Sequence, residues 1–317
     1  MSQGDTTALR LEDVKKSFGK TVAVAGVSFD VEAGQMFGVI GPDGAGKTTT
    51  LRMICGLLKR DHGNISLFGT DPWTNRSVAT SSIGYLSQRF SLYGDLSIDE
   101  NIAFFARAHN VPDFTARRSR LLSLTGLEPF RTRLADKLSG GMKQKLALAC
   151  TLVHQPRVIV LDEPTTGVDP VSRREFWKLV AEFLVDGLTI VLATPYLDEA
   201  ERCSRVVLLN EGQVLALDQP SALQRAGRGV VLEVVVSPPR TALQALRQAY
   251  GIDAVQLFGD RLHVHTSSEQ EQGRVTSVLS GAGCDVRNIR RILPSLEDVF
   301  IEKLAASRRG EPAGAQA

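Results

Sequence analysis

Apolar and polar positions along the chain follow two rhythms. Residues 36–40 (MFGVI), 158–161 (VIVL), 189–193 (TIVLA) and 206–209 (VVLL) are short, nearly continuous apolar runs. Runs of this kind fit strands covered on both faces, as in a parallel sheet. Between them, residues 48–58, 171–186 and 196–203 carry apolar side chains at helical spacing. This alternation predicts an α/β fold around a mostly parallel sheet. Nearer the start, residues 9–13 and 22–29 predict short strands around a Phe18-Gly19-Lys20 turn, and Ser66-Leu67-Phe68 adds to that antiparallel layer. From about 91 to 135 the pattern turns helical (98–109, 114–125), broken by Pro112 and Gly126. That segment predicts a helical insertion with its own surface.

The pattern changes again near Pro220. Residues 221–229 hold two glycines and two arginines and read as a linker. Strand patterns at 230–236, 255–257, 261–265 and 286–292 then alternate with helical ones at 239–250 and 272–279. The expected organisation is a short extension (1–8), a main α/β domain (9–220), the linker, a small C-terminal α+β domain (230–304) and a disordered tail (305–317). The tail, AASRRGEPAGAQA, has little to bury. A length of 317 residues suits two domains of roughly 150 residues each.

Composition narrows the class. Lys plus Arg total 37 against 35 Asp plus Glu, a formal charge of +2, which gives no footprint for nucleic acid. Cys55, Cys150, Cys203 and Cys284 are scattered, without a CxxC pair, so neither a disulfide framework nor a structural metal is expected. The first residues lack the basic start and apolar run of a signal peptide. No run approaches 18 apolar residues, so no direct membrane span is expected. His263 and His265 share a strand face, and two imidazoles without further ligands read as surface residues.

Gly41-Pro42-Asp43-Gly44-Ala45-Gly46-Lys47-Thr48 matches the GxxxxGK[ST] phosphate loop, after an expected strand and at the start of an expected helix. The rival reading is a chance glycine-rich turn. The glycines let backbone N–H groups wrap phosphate oxygens, and the helix N-terminus favours negative charge. Lys47 is expected on the β and γ phosphates and Thr48 on Mg²⁺, with Thr49 following inside the loop. Asp43, beside phosphates, is expected to face solvent. The apolar run 158–161 ends in Asp162 and Glu163. With a phosphate loop on the same chain, Asp162 becomes the expected Mg²⁺ holder and Glu163 the candidate general base. Alone, the two carboxylates would be a strand end meeting solvent.

Leu138-Ser139-Gly140-Gly141 opens a helical pattern. With the phosphate loop before it and Asp162-Glu163 after it, this run resembles the signature of ATP-binding cassette (ABC) ATPases. The resemblance implies a P-loop NTPase of the ABC type, with an antiparallel β subdomain and a helical subdomain at about 91–135. It implies ATP and Mg²⁺ as ligands. By position, it implies that Phe18 stacks on adenine; the other reading of Phe18 is a core aromatic beside a turn. Gln88 matches the glutamine that senses Mg²⁺ and water. Leu138, Ser139, Gly140 and Gly141 match the signature that meets the γ-phosphate of the opposite subunit. Asp169 matches the residue that couples the two sites, and Glu163 the catalytic glutamate.

One position departs. The family's histidine after the strand at 189–193 is Pro195 here, in Ala193-Thr194-Pro195-Tyr196. Proline has no donor. Two readings stay open: slow turnover with Glu163 still acting as base, or ATP binding that mainly closes a dimer.

A single phosphate loop and a single signature imply, within this resemblance, two cassettes meeting head to tail, as a homodimer or with a related subunit. They also imply a separate membrane permease docked at 91–135 and the loop after Gln88, where Arg89, Phe90, Leu92 and Tyr93 are candidates. Pro294-Ser295-Leu296-Glu297-Asp298-Val299-Phe300-Ile301 resembles the ending of bacterial ABC-2 type multidrug and sodium export ATPases. The implied role is the ATP-hydrolysing subunit of an exporter, cytoplasmic and peripheral on the inner (plasma) membrane. The alternatives are a hydrolysis-impaired regulatory subunit and a soluble, non-transport ABC protein.

Overall fold

The computed structural model describes residues 7–88, 91–226 and 229–308. The docking candidates Arg89 and Phe90 lie outside the described residues, as do 1–6, 227–228 and 309–317. Contacts divide the chain into two compact units that meet between Leu217 and Asp218.

The first unit opens with a hairpin of β1 (Thr7–Phe18) and β2 (Thr21–Glu32), paired antiparallel. Both strands are longer than their apolar pattern suggests. The register shifts at Leu11/Val14 and Lys16/Ser17, and these irregularities interrupt the two-residue alternation that marks a strand. Strand β3 (Met36–Ile40), helix α1 (Lys47–Ile54) and strand β4 (His62–Leu67) follow; β4 pairs with β1 in a three-stranded layer. Helix α1 ends before the expected residue 58. Gly56 (φ 67°) packs its backbone so closely on Pro72 that an added Cβ would lie 2.3 Å from the Pro72 carbonyl oxygen.

Next come α2 (Arg76–Ser82), β5 (Ile83–Leu86), α3 (Ile98–Ala108), α4 (Thr115–Thr125) and α5 (Gly140–Leu152). Helix α3 starts on a reciprocal cap between Ser97 and Glu100, and α4 stops at the left-handed Gly126. Strand β6 (Val158–Asp162), α6 (Pro170–Val185), β7 (Thr189–Thr194), α7 (Leu197–Ala200), β8 (Arg205–Asn210) and β9 (Gln213–Asp218) complete the unit.

The central sheet runs β5-β6-β7-β3-β8-β9, parallel from β5 to β8. Strands β3, β6 and β7 are buried at every residue, as their continuous apolar runs require. The antiparallel layer packs on this sheet through Leu9, Leu11, Val27 and Phe29 against Phe37, Val160, Val191 and Val207. The Phe29 and Phe37 rings stack at 4.8 Å. All five parallel strands end at one edge, and the loops leaving that edge carry the candidate chemistry.

In the second unit, α8 (Pro220–Ala226) is a helix where a linker is expected. Strand β10 (Val230–Ser237), α9 (Pro239–Tyr250), β11 (Val255–Phe258), β12 (Arg261–Thr266), α10 (Gln272–Gly281), β13 (Asp285–Ile292) and α11 (Leu296–Arg308) follow. The sheet order is β11-β12-β10-β13, antiparallel throughout. One face buries Leu232, Val234, Leu262 and Val264 against Leu246 of α9 and Leu279 of α10. Helix α11 continues through Arg308, four residues into the stretch read as tail. His263 and His265 do share a face of β12, but they are not free surface residues. His263 Nδ1 and His265 Nε2 lie 3.1 and 3.3 Å from the carboxylate of Asp298, which is fully buried at the start of α11. No described helix is long and apolar enough to cross a membrane.

Candidate active site

The loop between β3 and α1 is pressed against its neighbours from two sides. A Cβ on Gly41 would fall 2.3 Å from the Leu209 carbonyl oxygen, and one on Gly46 (φ 97°) 2.4 Å from that of Ala23. Only glycine allows both approaches. The β8–β9 turn ties the loop down: Gly212 donates its N–H to Ala45 O (3.1 Å) and accepts from Ala25 N–H (2.8 Å).

Lys47 is 4% exposed. Its ammonium donates to Pro42 O at 3.0 Å and faces Glu163 Oε1 at 3.2 Å. Asp43 points outward, 96% exposed at the side chain, as expected for a carboxylate beside phosphates. Thr48 donates its hydroxyl to Asp162 Oδ1 (3.0 Å), and the Tyr85 phenol donates to Oδ2 (3.0 Å). Burial pushes the Asp162 carboxyl above its usual range, against the pull of those two hydrogen bonds. Burial, then the Asp162 charge, keeps the Tyr85 phenol protonated and so a donor.

Glu163 directly follows β6 in a left-handed conformation (φ 50°), with its N–H bonded to Ala193 O on β7 (2.8 Å). Such a backbone costs a non-glycine residue roughly 1–2 kcal/mol. It turns the carboxylate toward Lys47 and Gln88, whose Nε2 donates to Glu163 Oε2 at 3.0 Å; Thr166 Oγ1 stands 3.4 Å from the same oxygen.

Lys47, Thr48, Gln88 and Glu163 share one cavity of about 560 Å³, while Asp162 is buried behind Thr48 and does not line it. Gly44, Gly46, Lys47, Thr48, Thr49, Gln88 and Glu163 line it, with Phe18 and Tyr196 among its outer walls. Phe18 is 51% exposed, with Lys16 over its ring at 5.5 Å, so it is not a core aromatic. Gly41, Pro42 and Ala45 shape the loop from behind without lining the cavity. The size suits a small-molecule ligand.

Pro195 lines the same cavity, and Glu199 anchors Thr194 directly before it. That carboxylate is fully buried and accepts from Thr194 Oγ1 (2.7 Å), Arg173 Nε (2.9 Å), Trp177 Nε1 (3.2 Å) and the Thr165 hydroxyl. Arg173 also grips Asp198 through both carboxylate oxygens and lies over the Tyr196 ring at 4.8 Å. The short segment from Thr194 to Tyr196 is therefore fixed, although no residue in it offers an imidazole.

The Leu138–Gly141 run does not line the cavity. Ser139 caps α5, its Oγ accepting from Met142 N at 3.3 Å. Gly141 is required by packing, since a Cβ there would lie 2.3 Å from Ser172 Oγ. Asp169 caps α6, accepting from Val171 N and Ser172 N at 3.0 Å each. Hydrogen bonds from Ser172 and Val171 hold its carboxyl below the usual range. Two members of the constellation escape the sequence reading, Tyr85 and Glu199. Tyr85 sits three residues before Gln88, and an aromatic hydroxyl at a strand end was the available signal.

The Asp162 carboxylate and the Thr48 hydroxyl offer the hard oxygen ligands that Mg²⁺ takes beside phosphate oxygens and water. The residues present therefore fit that ion.

The family profile described as ABC transporter matches residues 24–166. The chain is 41% identical to the probable multidrug ABC transporter ATP-binding protein YbhF of Escherichia coli, over 92% of this chain. It spans about half (51%) of that relative's length. It is 37% identical to the Nod factor export ATP-binding protein I of Rhizobium sp. (strain N33), covering 93% of this chain and 96% of the relative. Its fold is similar to that of cbiO1 from Clostridium perfringens, part of the ABC transporter complex cbiONQ. That likeness has a TM-score of 0.65 and 28% identity, over 70% of this chain and 92% of the other.

Proposed function

This chain belongs to the family of ABC transporter ATP-binding proteins, and on that premise we propose that it binds Mg²⁺-ATP and hydrolyses it to energise export through a separate membrane permease. The observation that carries the reading is the single cavity lined by Lys47, Thr48, Gln88 and Glu163.

Each group has a task that follows from its contacts. Backbone N–H groups of 44–48 hold the triphosphate, with Phe18 at the adenine end. The phosphates draw the Lys47 ammonium away from Glu163, which frees the carboxylate to accept a proton. Gln88, bonded to one oxygen of Glu163, orients the other toward the attacking water. That water's oxygen bonds to the γ-phosphorus, Glu163 takes its proton, and the bond to the β–γ bridging oxygen breaks. Thr48 and Asp162 would hold Mg²⁺, with Tyr85 fixing Asp162. The ion supplies charge neutralisation on the phosphate oxygens.

Ser139 and Gly140 are exposed at a helix start outside this cavity, with Gly141 buried behind them, which suits the use of this run on the nucleotide of a second cassette, identical or related. Asp169 couples the two sites. The surface at 91–135, where Tyr93 is 45% exposed, is the docking face for an ABC-2 type permease. The working position is the cytoplasmic face of the membrane. The exporter class is supported by the Pro294–Ile301 ending and by the two relatives, one a probable multidrug ABC transporter ATP-binding protein and the other a Nod factor export ATP-binding protein.

Pro195 favours a second reading, an ATP-binding subunit that barely turns over. ATP hydrolysis by the purified chain, with Glu163→Gln and Lys47→Ala beside it, separates the two. Turnover equal to that of Lys47→Ala, both alone and with the permease, would overturn the hydrolytic reading.

A further inference from the structure

A second cleft, outside the candidate active site, lies at the opposite edge of the parallel sheet. It has a volume of about 580 Å³. Thr189 opens β7, Arg157 precedes β6, and Ala33 precedes β3; all three line the cleft. The phosphate loop and Glu163 leave the other ends of the same strands. Five residues of β6 separate the two edges, roughly 15 Å at strand rise. The two sites are distinct.

Three guanidinium groups enter this cleft, Arg117 and Arg120 from α4 and Arg157 from the sheet edge, against one lining carboxylate, Asp186. Arg120 pairs with Asp186 at 2.6 Å. Arg117 donates Nη2 to the Leu152 carbonyl at 3.3 Å, while its Nε is buried with no acceptor. Arg157 lies 3.5 Å over the Phe68 ring, which fixes the plane of its guanidinium, and no carboxylate among the described residues pairs with it. The site therefore holds excess positive charge in oriented, planar donors. A buried N–H without a partner costs about 1–3 kcal/mol. Guanidinium groups match the geometry of phosphate oxygens, each offering parallel donors. Burial, then repulsion from Arg120, pulls the Arg117 pKa below its ordinary value, and the nearby Asp186 carboxylate offsets this only in part.

We propose that this cleft binds a small, multiply charged phosphate compound, held by Arg117 and Arg157 and bridging α4 to the starts of β6 and β7. Phe68 and Phe183 give the cleft an apolar wall, and its volume admits a mononucleotide-sized molecule as well as a bare polyphosphate.

The test uses the full chain with Lys47→Ala, so that the phosphate loop contributes little, and tripolyphosphate as the probe in titration calorimetry. One equivalent is expected to bind, and adding Arg117→Gln with Arg157→Gln is expected to weaken it at least tenfold. AMP in a parallel titration distinguishes a nucleoside phosphate from a bare polyphosphate: tighter binding than phosphate alone assigns the apolar wall to the base. Hydrogen exchange on the Lys47→Ala chain needs no change in the cleft, and tripolyphosphate is expected to slow exchange at 155–157 and 186–189. No binding to the Lys47→Ala chain, equal affinity after the arginine substitutions, or unchanged exchange in those segments each overturns the proposal. The outcome does not depend on whether the other cavity hydrolyses ATP.

Discussion

The ammonium of Lys47 and the carboxylate of Glu163 face each other at 3.2 Å, with 4% and 9% of their side chains exposed. Each is the other's counter-charge before any phosphate enters. Truncating one leaves a buried, unpaired charge, which costs about 3–5 kcal/mol. Lys47→Met is therefore expected to lower the melting temperature of nucleotide-free protein by several degrees, and Lys47→Met with Glu163→Gln to recover part of the loss. A double-mutant cycle of thermal unfolding without nucleotide checks this. Strictly additive losses would mean that the pair carries no coupling.

Glu163→Gln keeps the shape and the hydrogen bond from Gln88 but cannot accept a proton. Removing a positioned base typically costs about 10²–10⁴ in rate. Turnover should fall by that factor while ATP affinity changes less than threefold, measured by single-turnover hydrolysis beside equilibrium nucleotide binding.

Tyr85→Phe removes one of the two hydrogen bonds to the Asp162 carboxylate. Hydrogen bonds to charged groups contribute about 1.5–3 kcal/mol. The expected result is a modest loss of stability and a raised Mg²⁺ concentration for half-maximal turnover. A Mg²⁺ titration of turnover reads this directly; an unchanged midpoint would remove Tyr85 from the site.

The sequence made the phosphate loop, Asp162-Glu163 and the strands behind them legible, because each depends on residue types within a few positions. Tyr85 and Glu199 were hidden for the opposite reason. Their partners are Asp162, 77 residues away, and Thr165 and Arg173, 34 and 26 residues away, brought close only by strand order. Strand β5 has four residues, too few to show a period. Helix α11 starts on a local reciprocal cap between Ser295 and Asp298, a signal the sequence does carry. The surroundings of His263 and His265 could not be read from two histidines alone.

Asp298 links the second unit to pH. Burial would raise its carboxyl, but hydrogen bonds from His263, His265 and Ser295 outweigh that and hold it well below the usual range. A folded-state pKa below the unfolded value adds stability that is complete above about pH 4 and is lost as pH falls below it. Acid unfolding of this unit should steepen below about pH 4. Asp298→Asn should flatten that slope and lower stability at neutral pH. Denaturant midpoints at pH 7, 5, 4 and 3 test the sign; equal slopes for both proteins would exclude the linkage.

Pro195 stands on a support that does not depend on it, because Glu199 holds Thr194, Arg173 and Trp177. Pro195→His is therefore expected to fold normally and to raise turnover by about 10²-fold, the lower end for a positioned acid or base. Glu199→Gln should cancel most of that gain by loosening the support. Steady-state hydrolysis by the two variants and their combination decides; no gain from Pro195→His would mean that the missing imidazole does not limit the rate.

The turn at Glu211–Gly212 joins β1–β2, the phosphate loop and the β8–β9 hairpin at one point. Gly212 holds φ 76°, and a Cβ there would come within 2.8 Å of the Ala23 carbonyl oxygen. A genetic screen for loss of nucleotide binding should therefore return substitutions at 212 alongside those at 47. An interpreter reading motifs alone would file them as unrelated, since position 212 matches no nucleotide signature. The heritable unit of this site is thus wider than its motifs, and tolerance maps of the chain should show an intolerant position between the exposed residues Glu211 and Gln213.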